Sequence, residues 1–198
     1  MNRRAFLGMS SLLLLGFGKQ KLKANNHALY TPQVIFTSGV NGGIPNSKFP
    51  LLFYSSVIPK DVKDRADYLE NLFTQNSWQC AWRYQIFSFH HFHSKAHECV
   101  ACFVGNAQLQ IGGEGGKIID VGIGDVLIIP AGVGHKQVKA SSDFCMVGAY
   151  PINQRADVCR DDIAYLATAQ ANIAKVAMPN TDPLNAKTGG LINLWKQS

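Results

Sequence analysis

Between Glu98 and Tyr150 the chain alternates short apolar runs with tight turns at near-regular spacing, and this pattern leaves few architectures open. The runs are Glu98 to Val104, Ala107 to Ile111, Lys117 to Val121, Val126 to Ile129, His135 to Lys139 and Asp143 to Tyr150. Gly105, Gly112-Gly-Glu-Gly-Gly116, Gly124-Asp125 and Pro130-Ala-Gly132 separate them. Short strands punctuated in this way predict an all-β sandwich or jelly roll. The glycine-rich loop could cradle phosphate, but no Gly-Lys-Ser/Thr follows and no helix is predicted after it. It reads as a hairpin loop.

Upstream, 32–36 and 50–57 are strand-like, and Asn41 to Asn46 is dense in turn residues. Over 60–76 the period changes: Val62, Ala66, Leu69, Leu72 and Phe73 recur at helical spacing, with Asp61 a candidate N-cap and the charges forming a solvated face. Trp78 to His93 reads as one long strand that puts Phe87, Phe89, His91 and His93 on one face. After Pro151 the β pattern stops. Residues 161–172 are alanine-rich and predict a helix, and the tail from Met178 to Trp195 has no clear period and is expected to wrap the barrel. The expected organisation is a leader over 1–24, strands and a helix over 25–82, a barrel core over 83–151 and a helix with a wrapping tail over 152–198.

The net charge of +6 suggests a nucleic-acid partner, but its distribution argues against one. Arg3, Arg4, Lys19, Lys21 and Lys23 lie in the first 24 residues with no acid among them. Without those five cations, 14 basic residues face 13 acidic ones. A near-neutral body gives no electrostatic reason to bind nucleic acid. The basic start is followed by a short apolar run to Phe17, about half of the ~20 residues a spanning helix needs. Arg3-Arg-Ala-Phe-Leu7 resembles a twin-arginine export signal. The expectation is a leader cut near Ala24, a periplasmic protein and no membrane attachment after export.

His91, His93, Glu98 and His135 are the candidate metal donors. On a strand, His91 and His93 point the same way, and two imidazoles can then reach one ion at about 2.0–2.2 Å. Glu98 re-enters from the next strand with a hard oxygen, and His135 arrives from beyond the Pro130 turn. Four donors leave a position open for water, oxygen or substrate. His90 falls on the opposite strand face and reads as a surface or shell residue. His97 precedes Glu98 and points outward on a regular strand. A turn would break that parity, so His97 could replace His91 as a ligand or serve as an acid/base group near the metal. Cys99 and Cys102 would face opposite sides of their strand, which rules out a shared ion or disulfide without a bulge. A disulfide such as Cys80 with Cys159 is compatible with an oxidising compartment.

These residues carry a family resemblance. His-x-His, four residues, Glu, six residues, Gly at His91, His93, Glu98 and Gly105 resembles the first cupin motif. Gly, five residues, Pro-x-Gly, two residues, His at Gly124, Pro130, Gly132 and His135 resembles the second. Gln85 and Lys139 stand where the family usually has a glycine and an asparagine. Ile44-Pro-Asn, Asn76-Ser-Trp78 with Trp82, His91-Phe-His-Ser94 with His97-Glu98, Val147-Gly-Ala-Tyr-Pro151 and Thr181-Asp-Pro183 narrow the likeness to the YjlB-like cupins, a group without an established reaction.

The resemblance implies a cupin jelly-roll barrel, also called a double-stranded β-helix, with one N-terminal amphipathic helix and a C-terminal helix and tail. It also implies one divalent metal ion, and a homodimer is one expectation for such barrels. Manganese or iron is favoured if the protein is exported folded with its metal; zinc, nickel and copper are the alternatives. The function expected is a small-molecule metalloenzyme of oxygenase, oxidase or isomerase type, with Gln85 and His97 orienting substrate or moving protons. Phe87, Phe89, Val100 and Val126 are expected to supply dry walls. The alternative is a non-enzymatic metal- or ligand-binding protein.

Overall fold

The computed structural model describes residues 30–37 and 39–197, so the expected leader lies outside the described residues. In chain order come β1 (Gln33–Ile35), β2 (Leu51–Tyr54), α1 (Arg65–Gln75), β3 (Trp78–Tyr84), β4 (His91–Phe92), β5 (Glu98–Val104), β6 (Asn106–Ile111), β7 (Lys117–Gly122), β8 (Val126–Ile129), β9 (His135–Ala140), β10 (Cys145–Pro151) and β11 (Cys159–Arg160). A single 3-10 turn leads into α2 (Leu166–Ile173), and α3 (Gly190–Leu194) lies near the end of the tail. Two antiparallel sheets face each other in a cupin jelly roll. One has the order β1-β2-β8-β5-β10-β3, the other β11-β4-β9-β6-β7. No helix among the described residues is long and apolar enough to cross a membrane.

Side-chain alternation divides the core into two layers. On β5, Val100 and Cys102 point between the sheets, where they meet Leu109, Leu127, Ile129 and Met146. Cys99 and Ala101 point the other way, into a layer with Leu69 and Phe73 of α1 and Leu191 and Trp195 of the tail. Each fully buried large apolar side chain contributes about 1.5–3 kcal/mol, so both layers matter to stability. This double coverage explains why 126–129 is apolar without alternation: Leu127 and Ile129 face in, and Val126 and Ile128 face out. Val126 therefore packs in the outer layer and does not wall the interior, as the sequence reading expected. The opposite facing of Cys99 and Cys102 is as expected, and all five cysteines are free thiols.

Two elements differ from expectation in their bounds. α1 begins at Arg65, not near Asp61, because the Asp64 carboxylate caps it by accepting from the Asp67 N–H at 3.0 Å. The charge run on α1 lies on a solvated face as expected, and there Arg83 reaches Asp67 and Glu70 at 2.5 and 2.6 Å. The long strand over 78–93 breaks. β3 ends at Tyr84, the last residue paired to β10, and the Phe87 carbonyl then accepts from Gln137 N–H of the other sheet at 2.8 Å. Residues 85–90 thus carry the chain from one sheet to the other, and only His91 and Phe92 resume strand pairing.

The aperiodic tail is organised by Asp182, which is fully buried. Its carboxylate accepts from the N–H groups of Leu184, Asn185 and Leu191 and from the Tyr54 hydroxyl, all at 2.8–3.0 Å. Those bonds start α3 and fasten it beneath β2. Trp195 then donates to the Pro50 carbonyl at 2.9 Å. The expected wrapping is present, with a short C-terminal helix in it.

Candidate metal centre

His91 and His135 are directly opposed across the β4–β9 pair, and their ring centroids lie 4.1 Å apart. His93 sits just past the end of β4, where its carbonyl accepts from Gly132 N–H at 2.9 Å. The ring nitrogens of these three histidines lie within 4.8 Å of one another, all three are buried, and together they could hold a metal ion. Glu98 opens β5 on the facing sheet. Its Oε2 is 3.2 Å from His93 Nε2 and 3.3 Å from His135 Nε2.

Tautomer follows from the backbone. His91 Nδ1 faces the Phe89 carbonyl at 3.4 Å, His135 Nδ1 the Val133 carbonyl at 3.1 Å, and His93 Nδ1 the Asp157 carbonyl. A carbonyl only accepts, so each Nδ1 carries a proton, and the Nε2 of each ring, turned away from that carbonyl, is the nitrogen left to offer a lone pair when the ring is neutral. This is the carbonyl anchoring found behind metal-bound imidazoles. His93 Nε2, His135 Nε2 and Glu98 Oε2 are buried within reach of one another, yet none makes a well-directed hydrogen bond. Buried polar atoms seldom stay unsatisfied, and a shared cation would satisfy all three.

The electrostatics agree. Burial alone would raise the Glu98 carboxyl, but His93 and His135 hold it well below the usual carboxylate range. Burial works to lower His93, and the Glu98 charge outweighs it and raises the imidazole. Burial, His135 and His93 push His91 down to about 2 against the pull of Glu98, so that ring stays a neutral donor.

The other Glu98 oxygen is held from behind. Tyr150 donates its hydroxyl to Oε1 at 2.8 Å and accepts from the Trp82 indole N–H at 3.1 Å. Trp82 fits only because position 148 is glycine: a Cβ there would lie 1.9 Å from the indole. On the other side, the Asp157 carboxylate takes the Ser94 N–H and hydroxyl at 2.7 and 2.6 Å, fixing the loop whose carbonyl anchors His93. In front lies a cavity of about 260 Å³, lined by His91, His93 and Glu98 together with Gln85, Phe87 and Val158 among others.

Of the residues singled out from sequence, the structure gathers His91, His93, Glu98 and His135, and puts Gln85 at the cavity rim. It does not bring His97 to them. His97 Nδ1 accepts from Ala131 N–H at 3.0 Å, and its ring packs 4.8 Å from Trp195, on the outer layer. Burial pushes this imidazole down to about 4. His90 lies toward the surface hairpin, 3.6 Å from Glu114. Sequence reasoning missed the roles of Tyr150, Trp82 and Asp157. The signal for the first two was the Val147-Gly-Ala-Tyr-Pro151 segment, whose glycine admits the indole.

A jelly roll with three imidazoles converging between its sheets defines a cupin with a candidate metal centre. No family model matches the chain. It is 35% identical over 156 residues to the uncharacterized protein YjlB of Bacillus subtilis (strain 168), covering 78% of this chain and 92% of that protein. The chain belongs to the YjlB family of cupins. Solved structures with partial likeness include a DUF861 family protein of Thermotoga maritima, with TM-score 0.31 and 18% identity over 44% of this chain and 92% of that one. RmlC of Streptococcus suis, solved with dTDP-D-xylose, gives TM-score 0.33 and 11% identity over 84% of this chain and 96% of that one. The 11S allergen of Cocos nucifera gives 0.34 and 16% over 62% and 32%.

Proposed function

We propose that the protein is an exported mononuclear metal-binding cupin that acts on a small molecule, with His91, His93, Glu98 and His135 as the ligand set. The observation that carries this reading is the convergence of imidazoles whose Nδ1 atoms are all anchored on carbonyls. A bound divalent cation would supply Lewis-acid or redox chemistry at the cavity floor. The chain's own residues do the rest. Tyr150 holds Glu98 in orientation, Phe87 and Val158 give the cavity apolar, solvent-exposed edges, and Gln85 can hydrogen-bond a substrate oxygen at the rim. A cavity of about 260 Å³ suits a compact substrate, in keeping with an oxidase, oxygenase or isomerase of small organic acids or sugar-like molecules.

Manganese or iron is the proposed metal, because twin-arginine export of a folded protein lets it load where zinc and copper are scarce. Elemental analysis of protein purified from the periplasm tests both parts: stoichiometric manganese or iron is expected, and stoichiometric zinc or copper refutes the choice. Soaks with small carboxylates and sugars should place an oxygen in the coordination sphere. A saturated ion that admits none of them would favour the non-enzymatic binding protein.

A further inference from the structure

The cavity in front of the metal donors is edged by large apolar side chains left in the open. Tyr84 is 71% exposed, Phe87 45% and Val158 55%, and all three belong to its lining. Single exposed apolar side chains are ordinary; three around one opening mark a site that takes a ligand. Phe87 is exposed but held in place. Its ring stacks on Phe89 with 4.8 Å between centroids and meets the His91 imidazole edge to face at 4.9 Å. Arg160 lies over Phe89, 3.8 Å from the ring centre, and the Phe87 carbonyl accepts the Gln137 N–H. A ring fixed from behind and open in front can receive a second ring at little ordering cost.

The polar groups narrow the ligand. No lysine or arginine is among the described lining residues, so nothing there pairs with a phosphate. The Tyr150 hydroxyl and the Trp82 indole N–H are already engaged with Glu98 and with each other. Outside the donor set, that leaves the exposed Tyr84 and Gln85 to meet a ligand's hydrogen-bonding groups. Two such side chains are too few for a polyhydroxylated sugar, whose buried hydroxyls each need a partner. A volume of about 260 Å³ is smaller than drug-sized sites of ~300–1,000 Å³ and admits a single ring.

We propose that the substrate of this site is a single-ring aromatic acid, its ring against Phe87 with Tyr84 and Val158 at its edges and its carboxylate turned toward the donor cluster. The placing of the carboxylate rests on the metal-binding reading above; the placing of the ring rests on the exposed edges alone.

Benzoate, cyclohexanecarboxylate, acetate and glycerate are the probes, titrated calorimetrically into the protein as purified, with metal content measured on the same sample. Benzoate should bind at least about tenfold more tightly than acetate or glycerate and at least about twofold more tightly than cyclohexanecarboxylate. Phe87→Ala should weaken benzoate about tenfold and leave acetate within about twofold. Tyr84→Ser, at the most exposed of the three positions, keeps the test in force should Phe87→Ala fail to fold, and should weaken benzoate about threefold. Met178→Ala, in a different cavity, should change nothing. A metal-free sample with the same preference for benzoate would refute the metal reading and keep the ring site. A metal-loaded sample that binds acetate, glycerate or cyclohexanecarboxylate as tightly as benzoate would overturn the ring site alone. So would unchanged benzoate affinity in the folded variants, no saturable benzoate binding up to ~10 mM, or a dimer seen by sedimentation velocity that Phe87→Ala dissociates and that shuts benzoate out.

Discussion

Tyr150→Phe removes one oxygen from the protein and asks how firmly Glu98 must be held. The hydroxyl donates to a carboxylate that is 2% exposed, so no water replaces it easily. A hydrogen bond to a charged group contributes about 1.5–3 kcal/mol. Loss of a partner behind a metal ligand costs roughly 10- to 100-fold in affinity, which is about 1.4–2.7 kcal/mol, so the two routes agree. The variant should therefore bind manganese(II) 10- to 100-fold more weakly in a chelator-competition titration. The metal-free protein should lose roughly 3–12 °C in Tm, because the Trp82 indole also loses its acceptor. Trp82→Phe leaves the Tyr150–Glu98 bond in place and should cost less, and the double variant should fall short of the sum of the two single effects. An affinity within twofold of the parent, in a Tyr150→Phe protein whose Tm has fallen as stated, would show that Glu98 is not a ligand.

Other expectations follow from the same geometry. Gly148→Ala puts a Cβ into the indole and should cost about 1–3 kcal/mol by urea denaturation, with metal affinity falling alongside. His135→Ala should abolish stoichiometric metal, whereas His90→Ala, out by Glu114, should not; elemental analysis reads both, and full occupancy in the first refutes the ligand set. The metal-free protein should weaken as pH falls from 6 to 5. His91 and His97 are held at about 2 and about 4, so the unfolded chain takes up their protons first and folding loses roughly 1 kcal/mol for each. His93, whose imidazole is raised, already contributes in full below about 6.5, and Glu98, held low, loses its contribution only in stronger acid, so neither offsets the slope. A flat urea midpoint across that interval would refute the neutral assignment of both rings.

Strand periodicity made most of the barrel legible, because turn glycines and short apolar runs report local geometry. It failed where the chain changes sheets. Residues 85–90 keep the aromatic alternation of a strand, yet their partners belong to the opposite sheet, and pairing across 50 residues leaves no local trace. His91 and His93 converge as expected, although β4 spans only two residues and His93 lies beyond it. The parity argument placed His97 outward, where its ring packs on Trp195. The bond from Tyr150 to Glu98 joins residues 52 apart and was invisible to any periodicity. Val126 was misplaced because a helix and the tail cover the outer face, which makes both sides of β8 equally apolar.

The placement of the donors on both sheets has a mechanical consequence. β4 has two residues and its neighbour β11 also two, so ladder bonds alone hold this edge weakly. An ion shared by His91, His135 and Glu98 would clasp the two sheets together, adding about 4 kcal/mol when free metal stands a thousandfold above Kd. Most of that stabilisation would act on the opening of this edge, which lies at the low-stability end of the fold. Amide exchange at Phe92 and Cys159 should then slow sharply on metal loading while the β6–β7 hairpin changes little, so that the edge of the barrel reports the state of its centre.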